Sequence, residues 1–194
     1  MARPREFNRE EALDRAMRVF WEKGYAATST DELLSAMNIG RQSLYNAFGD
    51  KRRIYLEALE RYQSMTVSRH IDNLNGPASP LAGLKALLLG MIPEKNGGDP
   101  QGCMGVHAIC EFGDEDRELA AVHGRTAPAL GRHLLARIQE GQDAGELDMQ
   151  MDAREAMSFV QIAMQGMQVA NRAGVKSKEL RSMANFVIDR LRAR

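Results

Sequence analysis

Residues 29–51 read STDELLSAMNIGRQSLYNAFGDK, and this stretch decides the fold. Ser29 and Glu32 have the spacing of a capping box, which predicts that a helix begins there. Asn38 and Gly40 then interrupt the helical pattern, because both residue types tolerate turn conformations. The apolar positions expected to face inward are Leu33, Leu34, Ile39, Leu44 and Phe48. Their spacing on both sides of the interruption predicts two short helices around a tight turn.

The second of these helices carries a polar outer face near its start. Its outward residues are Arg41, Gln42, Ser43 and Asn46. In a helix-turn-helix such a helix enters the major groove, where arginine can recognise guanine and glutamine or asparagine can recognise adenine. Lys51 and Arg52 follow the motif, and we expect them to contact DNA phosphates. The alternative is an ordinary helical corner whose polar face meets water.

Two strings in this part of the chain resemble the signature of the TetR family of bacterial regulators. One is the stretch 29–51 itself, and the other is FWEKGYAATS at residues 20–29. The resemblance implies phosphate contacts by Tyr45 and Lys51, and contacts to bases or the nearby backbone by the four outward residues. It also implies an all-helical second domain that binds a small molecule and dimerises through the last two helices.

The charge distribution favours a DNA partner only locally. The chain has 26 Lys and Arg against 26 Asp and Glu, so its formal net charge is zero. Residues 41–53 nevertheless contain four basic residues and one acidic residue, and a local basic patch matters more for DNA binding than the total charge. Arg3 and Arg5 lie in a basic amino-terminal arm that can enter an adjacent minor groove, although short basic termini also serve solubility alone.

The remaining sequence predicts an all-α protein of about nine helices, because apolar residues recur every three or four positions without a sustained period-two pattern. No apolar run is long enough to span a membrane and no secretion signal is visible, so we expect a cytoplasmic protein without a membrane partner. Residues 1–50 are predicted to form the helix-turn-helix domain, and residues 51–194 the effector-binding and dimerisation domain. Beyond a helix from 51 to about 75, helices are predicted at 80–92, 102–112, 115–143, 152–173 and 177–193.

Apolar stripes on the helices at 152–173 and 177–193 are compatible with a homodimer interface. The stripes consist of Ala156, Phe159, Val160, Ala163, Met164 and Met167, followed by Leu180, Met183, Phe186, Val187 and Leu191. Two such helices from each copy can form a four-helix interface across a twofold axis. The alternative is that the same residues belong to the core of one chain.

The effector is expected to be a small molecule that is held by apolar surface and a few polar groups. The candidate pocket residues on the helices around the expected cavity are Met91, Met104, His107, Phe112, Met164 and Gln165. No cofactor is expected. The sequence alone does not name the effector, the operator or the regulated genes.

Cys103, His107 and Cys110 form a sharper pattern, and both cysteines are also counted among the candidate effector-binding residues. Their spacings of four and three residues put them on one face if residues 102–112 are helical. Three interpretations stay open: buried core residues, a thiol sensor for electrophiles or oxidants, and a soft-metal site that needs a further ligand. An enzyme that uses His107, Glu111 and a cysteine is a fourth alternative, but no catalytic motif supports it.

Together these features predict a transcriptional repressor that responds to a ligand. We expect a homodimer to bind double-stranded operator DNA of near-palindromic sequence, with its two recognition helices in successive major grooves. A small molecule then lowers the affinity for DNA by binding better to a conformation that misplaces these helices. Repression rather than activation follows from the family resemblance alone.

Overall fold

The computed structural model describes residues 7–93, 102–113 and 115–193, and these residues contain nine α-helices and no strand. The helices are α1 (Arg9–Lys23), α2 (Thr30–Met37), α3 (Arg41–Phe48), α4 (Lys51–Asn75), α5 (Pro80–Gly90), α6 (Met104–Phe112), α7 (Arg117–Asp143), α8 (Ala153–Arg172) and α9 (Ser177–Leu191). The predicted all-α class is confirmed. The ends of α4 to α9 lie within two residues of their predicted positions.

Local sequence signals explain where the first three helices begin and end. Asn8 caps α1 by accepting hydrogen bonds from two backbone N–H groups of the first turn. Ser29 and Glu32 form the predicted capping box at the start of α2. Asn38 adopts the left-handed conformation with φ 55° and ψ 45°, which turns the chain between α2 and α3. The helix-turn-helix geometry therefore follows from a few capping and turn residues.

Two apolar cores lie along α4. The first half of α4, as far as Tyr62, packs with α1, α2 and α3 and also with α6 and the start of α7. The second half, represented by Leu74, packs with α5, α8, α9 and the remainder of α7. Helix α6 thus contributes its buried residues to the core of the helix-turn-helix, although it is distant from this motif in sequence. This arrangement joins the two halves of the chain through α4 and α6.

Candidate functional site

Helix α3 presents its polar residues outward, as expected of a recognition helix. Arg41, Gln42 and Asn46 are exposed, Ser43 is partly exposed, and the ring of Tyr45 is 48% exposed. The inward Leu44 and Phe48 are buried in the first core and anchor the helix. Because Gly40 has no side chain at the helix start, α3 begins without a side-chain cap. Its first-turn N–H groups are therefore not covered by a capping side chain.

The polar side chains of this face form hydrogen bonds within the chain. Arg41 Nη2 lies 2.5 Å from Asp31 Oδ1 on α2, and both side chains are more than half exposed. Gln42 Nε2 donates to Asn46 Oδ1 at 3.0 Å. Exposed pairs of this kind are weak and exchange readily. The side chains are therefore available to bases, but Arg41 must leave Asp31 in order to reach one.

The two basic residues at the start of α4 have different surroundings. Lys51 Nζ lies 4.2 Å from the centre of the Tyr25 ring, which supports the ammonium group through a cation–π contact. Arg52 instead donates from Nη2 to both carboxylate oxygens of Asp116, each at 2.6 Å, and its Nε lies 3.2 Å from Glu118. The Arg52 side chain is only 24% exposed. Arg52 therefore joins α4 to the start of α7, and the expectation that it contacts a phosphate is not supported by this geometry.

Arg3 and Arg5, for which a minor-groove contact was expected, lie outside the described residues. Their DNA contact stays a prediction.

A cavity of about 270 Å³ lies between α4, α6, α7 and α8. Four of the residues expected to contact an effector line it: Met91, Cys103, Met164 and Gln165. The same wall includes polar residues of α4 and α7 that the sequence analysis did not single out, namely Gln63, Thr66, His70, His123 and Thr126. The spacing of 63, 66 and 70 along α4 places polar groups on one helix face, and this pattern could have identified them.

The other four candidate pocket residues do not line this cavity. Met104 is 1% exposed and belongs to the first core. The Phe112 ring packs with the rings of Tyr25 and Tyr55, at centroid distances of 5.3 and 5.6 Å. His107 lies against the end of α1, and Cys110 is exposed. Helix α6 turns most of these side chains towards the helix-turn-helix, and an effector contact by them is not supported by this geometry.

The expected cluster of Cys103, His107 and Cys110 on one helix face is not formed. Cys103 precedes α6 and has an extended backbone, with φ −115° and ψ 125°, so helical spacing does not apply to it. Cys103 lines the cavity, whereas the other two side chains do not. In the described part of the chain, no group of three or more His, Cys, Asp or Glu residues could hold a metal ion. The soft-metal interpretation therefore loses its geometric basis.

Helix α6 contacts the end of α1 through its last turns. Glu111 accepts hydrogen bonds from the backbone N–H groups of Tyr25, at 3.0 Å, and Ala26, at 2.5 Å. Gly24 has a φ of 84°, and a Cβ at this position would lie 2.5 Å from Cε1 of His107. Only glycine suits both this conformation and this close approach. The α1–α2 connection is therefore fixed to the same helix that lines the cavity.

The apolar stripes of α8 and α9 divide into an inner and an outer set. Seven of the predicted residues are buried within the chain: Ala156, Val160, Met164, Met167, Leu180, Val187 and Leu191. The outer apolar face, as we call it, consists of the exposed residues Phe159, Ile162, Val169, Met183 and Phe186. The buried set corresponds to the core interpretation. The outer apolar face is not covered by other parts of the same chain.

None of the helices in the described residues is long and apolar enough to cross a membrane.

Comparisons with known proteins show similarity along most of the chain. A family model described as bacterial regulatory proteins, tetR family, matches residues 12–58. ComR of Escherichia coli K12, named an HTH-type transcriptional repressor, is 28% identical over 190 residues, which cover 96% of this chain and 90% of ComR. YezE of Bacillus subtilis 168, named an HTH-type transcriptional regulator, is 30% identical over 149 residues, which cover 76% of this chain and 77% of YezE.

A solved structure extends this similarity to the whole fold. It contains a cysteine-substituted variant of the TetR family transcriptional regulator CifR in complex with 26 bp double-strand operator DNA. The TM-score is 0.80 and the sequence identity 30%, with 98% of this chain and 100% of the CifR chain covered. The similarity therefore includes both the helix-turn-helix and the helices that follow it.

Proposed function

Because the chain belongs to the TetR family of bacterial transcriptional regulators, we propose that it is a repressor that responds to a small molecule. In this proposal a homodimer binds a near-palindromic operator and leaves it when the cavity is occupied. The observation that carries the proposal is an exposed polar face on α3 together with a cavity whose wall includes α6, the helix that holds the α1–α2 connection. ComR is named a repressor and CifR was solved on operator DNA, which supports the same role here.

DNA recognition is divided between α3 and the start of α4 in this proposal. Arg41 and Gln42 contact base edges, because the first residues of a recognition helix are the ones that reach into the major groove. Tyr45 and Lys51 contact phosphates, which adds affinity and salt dependence but no sequence information. Asn46 hydrogen bonds to Gln42 and holds it in position for a base.

A homodimer is supported by the outer apolar face of α8 and α9. Isolated apolar residues are common on protein surfaces, but five large ones on two neighbouring helices indicate a contact surface. A twofold axis through this face would pair the two helices of one copy with those of the other. Such a dimer can place its two α3 helices in successive major grooves, roughly 34 Å apart.

The route from the cavity to the DNA runs through α6. Gly105, Val106 and Ile109 line the cavity on one side of this helix. Glu111, one turn or less from Ile109, holds the α1–α2 connection. A ligand that displaces α6 therefore moves the support of the helix-turn-helix. Helix α4, which lines the cavity and contributes to both apolar cores, offers a second route.

A thiol sensor is the second candidate, because Cys103 is partly exposed and lines the cavity. A protonated His107 would favour the reactive thiolate form of a nearby cysteine, but burial and Arg172 lower the pKa of His107, although Glu111 acts in the opposite direction. Alkylation with iodoacetamide separates the two candidates: a thiol sensor loses operator binding when Cys103 is modified, and Cys103→Ala abolishes this response. The enzyme alternative is excluded, because the family consists of DNA-binding regulators.

Operator binding by point variants tests the proposed function. Genomic footprinting first identifies the operator, and fluorescence anisotropy then compares it with a scrambled duplex over a range of salt concentrations. Arg41→Ala and Gln42→Ala should each weaken specific binding by about 1–3 kcal/mol and leave nonspecific binding nearly unchanged. Lys51→Ala should weaken both and reduce the salt slope by about 1.8, because the dimer loses one phosphate contact in each copy. Equal losses on both duplexes for all three variants would contradict base recognition by α3.

A further inference from the structure

The wall of the cavity carries polar groups but no ionic ones. None of the described residues that line it is Asp, Glu, Lys or Arg. Its polar side chains include four glutamines, two histidines and two threonines, and the remaining lining is mostly apolar. An ion that enters such a site loses its hydration without gaining a counter-charge, which is unfavourable. The wall therefore selects against charged ligands.

Both histidines of the wall are held in the neutral form. Burial lowers the pKa of His123, and burial together with Arg69 lowers the pKa of His70 to about 4. Gln63 Nε2 lies 2.6 Å from His123 Nδ1, and Thr126 Oγ1 donates to Gln63 Oε1 at 2.7 Å. Since an amide N–H can only donate, Nδ1 of His123 is the acceptor and its ring is neutral. Gln63 and His123 therefore satisfy one another.

His70 differs from these two residues because it lacks a partner at Nδ1. Its side chain lines the cavity and the residue is only 6% exposed. Nδ1 is buried and forms no hydrogen bond in the structure. A buried polar atom without a partner is unfavourable, and such atoms are uncommon in folded proteins. Because Nδ1 is buried, a ligand in the cavity can reach His70 only at the part of its imidazole ring that borders the cavity.

We propose that the cavity binds an uncharged, largely aromatic or aliphatic small molecule with one polar group that hydrogen bonds to the part of the His70 imidazole that borders the cavity. This inference rests on the proposed function, because it names the class of effector for the same cavity. The apolar part of the ligand contacts residues such as Met91, Val106 and Met164. Methionine side chains adapt to varied apolar shapes, so the polar group rather than the outline of the ligand determines its orientation.

Four naphthalene probes of similar size test the ligand class: 1-naphthol, 1-methylnaphthalene, 1-naphthoate and 1-naphthylmethylammonium. Their binding to the full-length protein is measured by isothermal titration calorimetry at pH 7 without DNA. We expect 1-naphthol to bind best, with both ions about tenfold weaker or worse because the wall has no counter-charge. Binding of either ion as tight as that of 1-naphthol, or no binding by any probe, overturns the proposal.

A variant of His70 tests the polar contact. His70→Leu should reduce the affinity for 1-naphthol about tenfold while changing that for 1-methylnaphthalene by less than about twofold. His133→Leu is the matched control, because His133 is exposed and does not line the cavity. An unchanged preference of His70→Leu for 1-naphthol would overturn the role of His70. The ranking of the four probes on the unmodified protein tests the ligand class even if the variant does not fold.

The outcomes also distinguish this inference from the proposed function. Operator binding is measured separately, with no probe present. Failure of the unmodified protein to bind any operator specifically would overturn the repressor proposal and leave the ligand class supported by the probe ranking. A wrong probe ranking with intact operator binding would overturn the ligand class alone.

Discussion

Glu111 of α6 accepts a hydrogen bond from the backbone N–H of Tyr25, at a distance of 3.0 Å and across 86 positions of the sequence. The second carboxylate oxygen accepts from the next N–H group, that of Ala26. Hydrogen bonds to a charged acceptor are stronger than neutral ones. Because α6 also lines the cavity, this carboxylate ties the ligand-binding wall to the chain segment that leads into α2.

Removal of this carboxylate should uncouple the two halves of the protein. We expect Glu111→Ala to lower the free energy of unfolding by about 1–3 kcal/mol, since two backbone donors lose a charged partner. Operator affinity should fall about fivefold or more, because the helix-turn-helix loses a support. Urea denaturation and fluorescence anisotropy measure the two effects. Glu115→Ala, which removes the same charge from an exposed position, should change neither; equal effects of the two variants would contradict this role of Glu111.

Arg52 and Lys51 should separate stability from DNA binding. Arg52→Ala breaks the ion pair with Asp116, and we expect it to lower the free energy of unfolding by about 1–2 kcal/mol without changing the salt slope of DNA binding. Lys51→Ala should leave the free energy of unfolding nearly unchanged but lower the salt slope by about 1.8, since the dimer loses two phosphate contacts. Denaturation and salt-dependent anisotropy are compared for both. A reduced salt slope for Arg52→Ala would instead support the phosphate contact that the sequence predicted for Arg52.

The features that the sequence predicted correctly depend on local rules. The capping pair Ser29 and Glu32 and the turn residue Asn38 act through neighbours a few positions away, so their roles are visible in the sequence. The outward face of α3 follows from helical periodicity for the same reason. The helix ends of the second domain were predicted within two residues because Gly and Pro interrupt the pattern there.

The features that the sequence did not predict depend on distant partners. The sequence predicted that Arg52 contacts a phosphate. Its partner in the structure is the carboxylate of Asp116, which lies 64 positions away along the chain, so the local sequence did not show this pairing. The sequence analysis placed Cys103 inside α6, but the helix begins at the next residue, Met104. Cys103 therefore does not share a helix face with His107. Phe112 was expected in the cavity, but Tyr25 and Tyr55 of the first core provide a better apolar contact for its ring. Periodicity shows that a residue is buried, but it does not show which core contains it.

His70 should make the protein sensitive to acid. Its pKa falls from 6.5 in the unfolded chain to about 4 in the folded protein because of burial, with a contribution from Arg69. Below pH 6.5 the unfolded chain therefore binds a proton that the folded protein does not. The contribution of His70 to stability is complete above pH 6.5 and is lost as the pH falls towards 4, by about 3 kcal/mol in total.

Urea denaturation at pH 7 and at pH 4.5 measures this loss. His70→Leu should show a smaller difference between the two pH values, because it lacks the proton site. His133→Leu removes an exposed histidine and should retain the difference found for the unmodified protein. Equal pH dependence of His70→Leu and the unmodified protein would contradict the neutral, buried state of His70.

Ile162 should be required for dimer formation, because it is the most exposed residue of the outer apolar face, at 67%. We expect Ile162→Arg to convert the proposed dimer into a folded monomer, since it would bury a charge from each copy in the proposed interface and the exposed residue makes little contact within its own chain. Met65→Arg is the control, because Met65 is 56% exposed but lies on α4, away from this face. Sedimentation equilibrium measures the oligomeric state, and circular dichroism measures the helix content.

A near-palindromic operator should bind the monomer at least about a hundredfold more weakly, because one recognition helix replaces two. A dimeric Ile162→Arg protein with unchanged operator affinity would contradict an interface on α8 and α9.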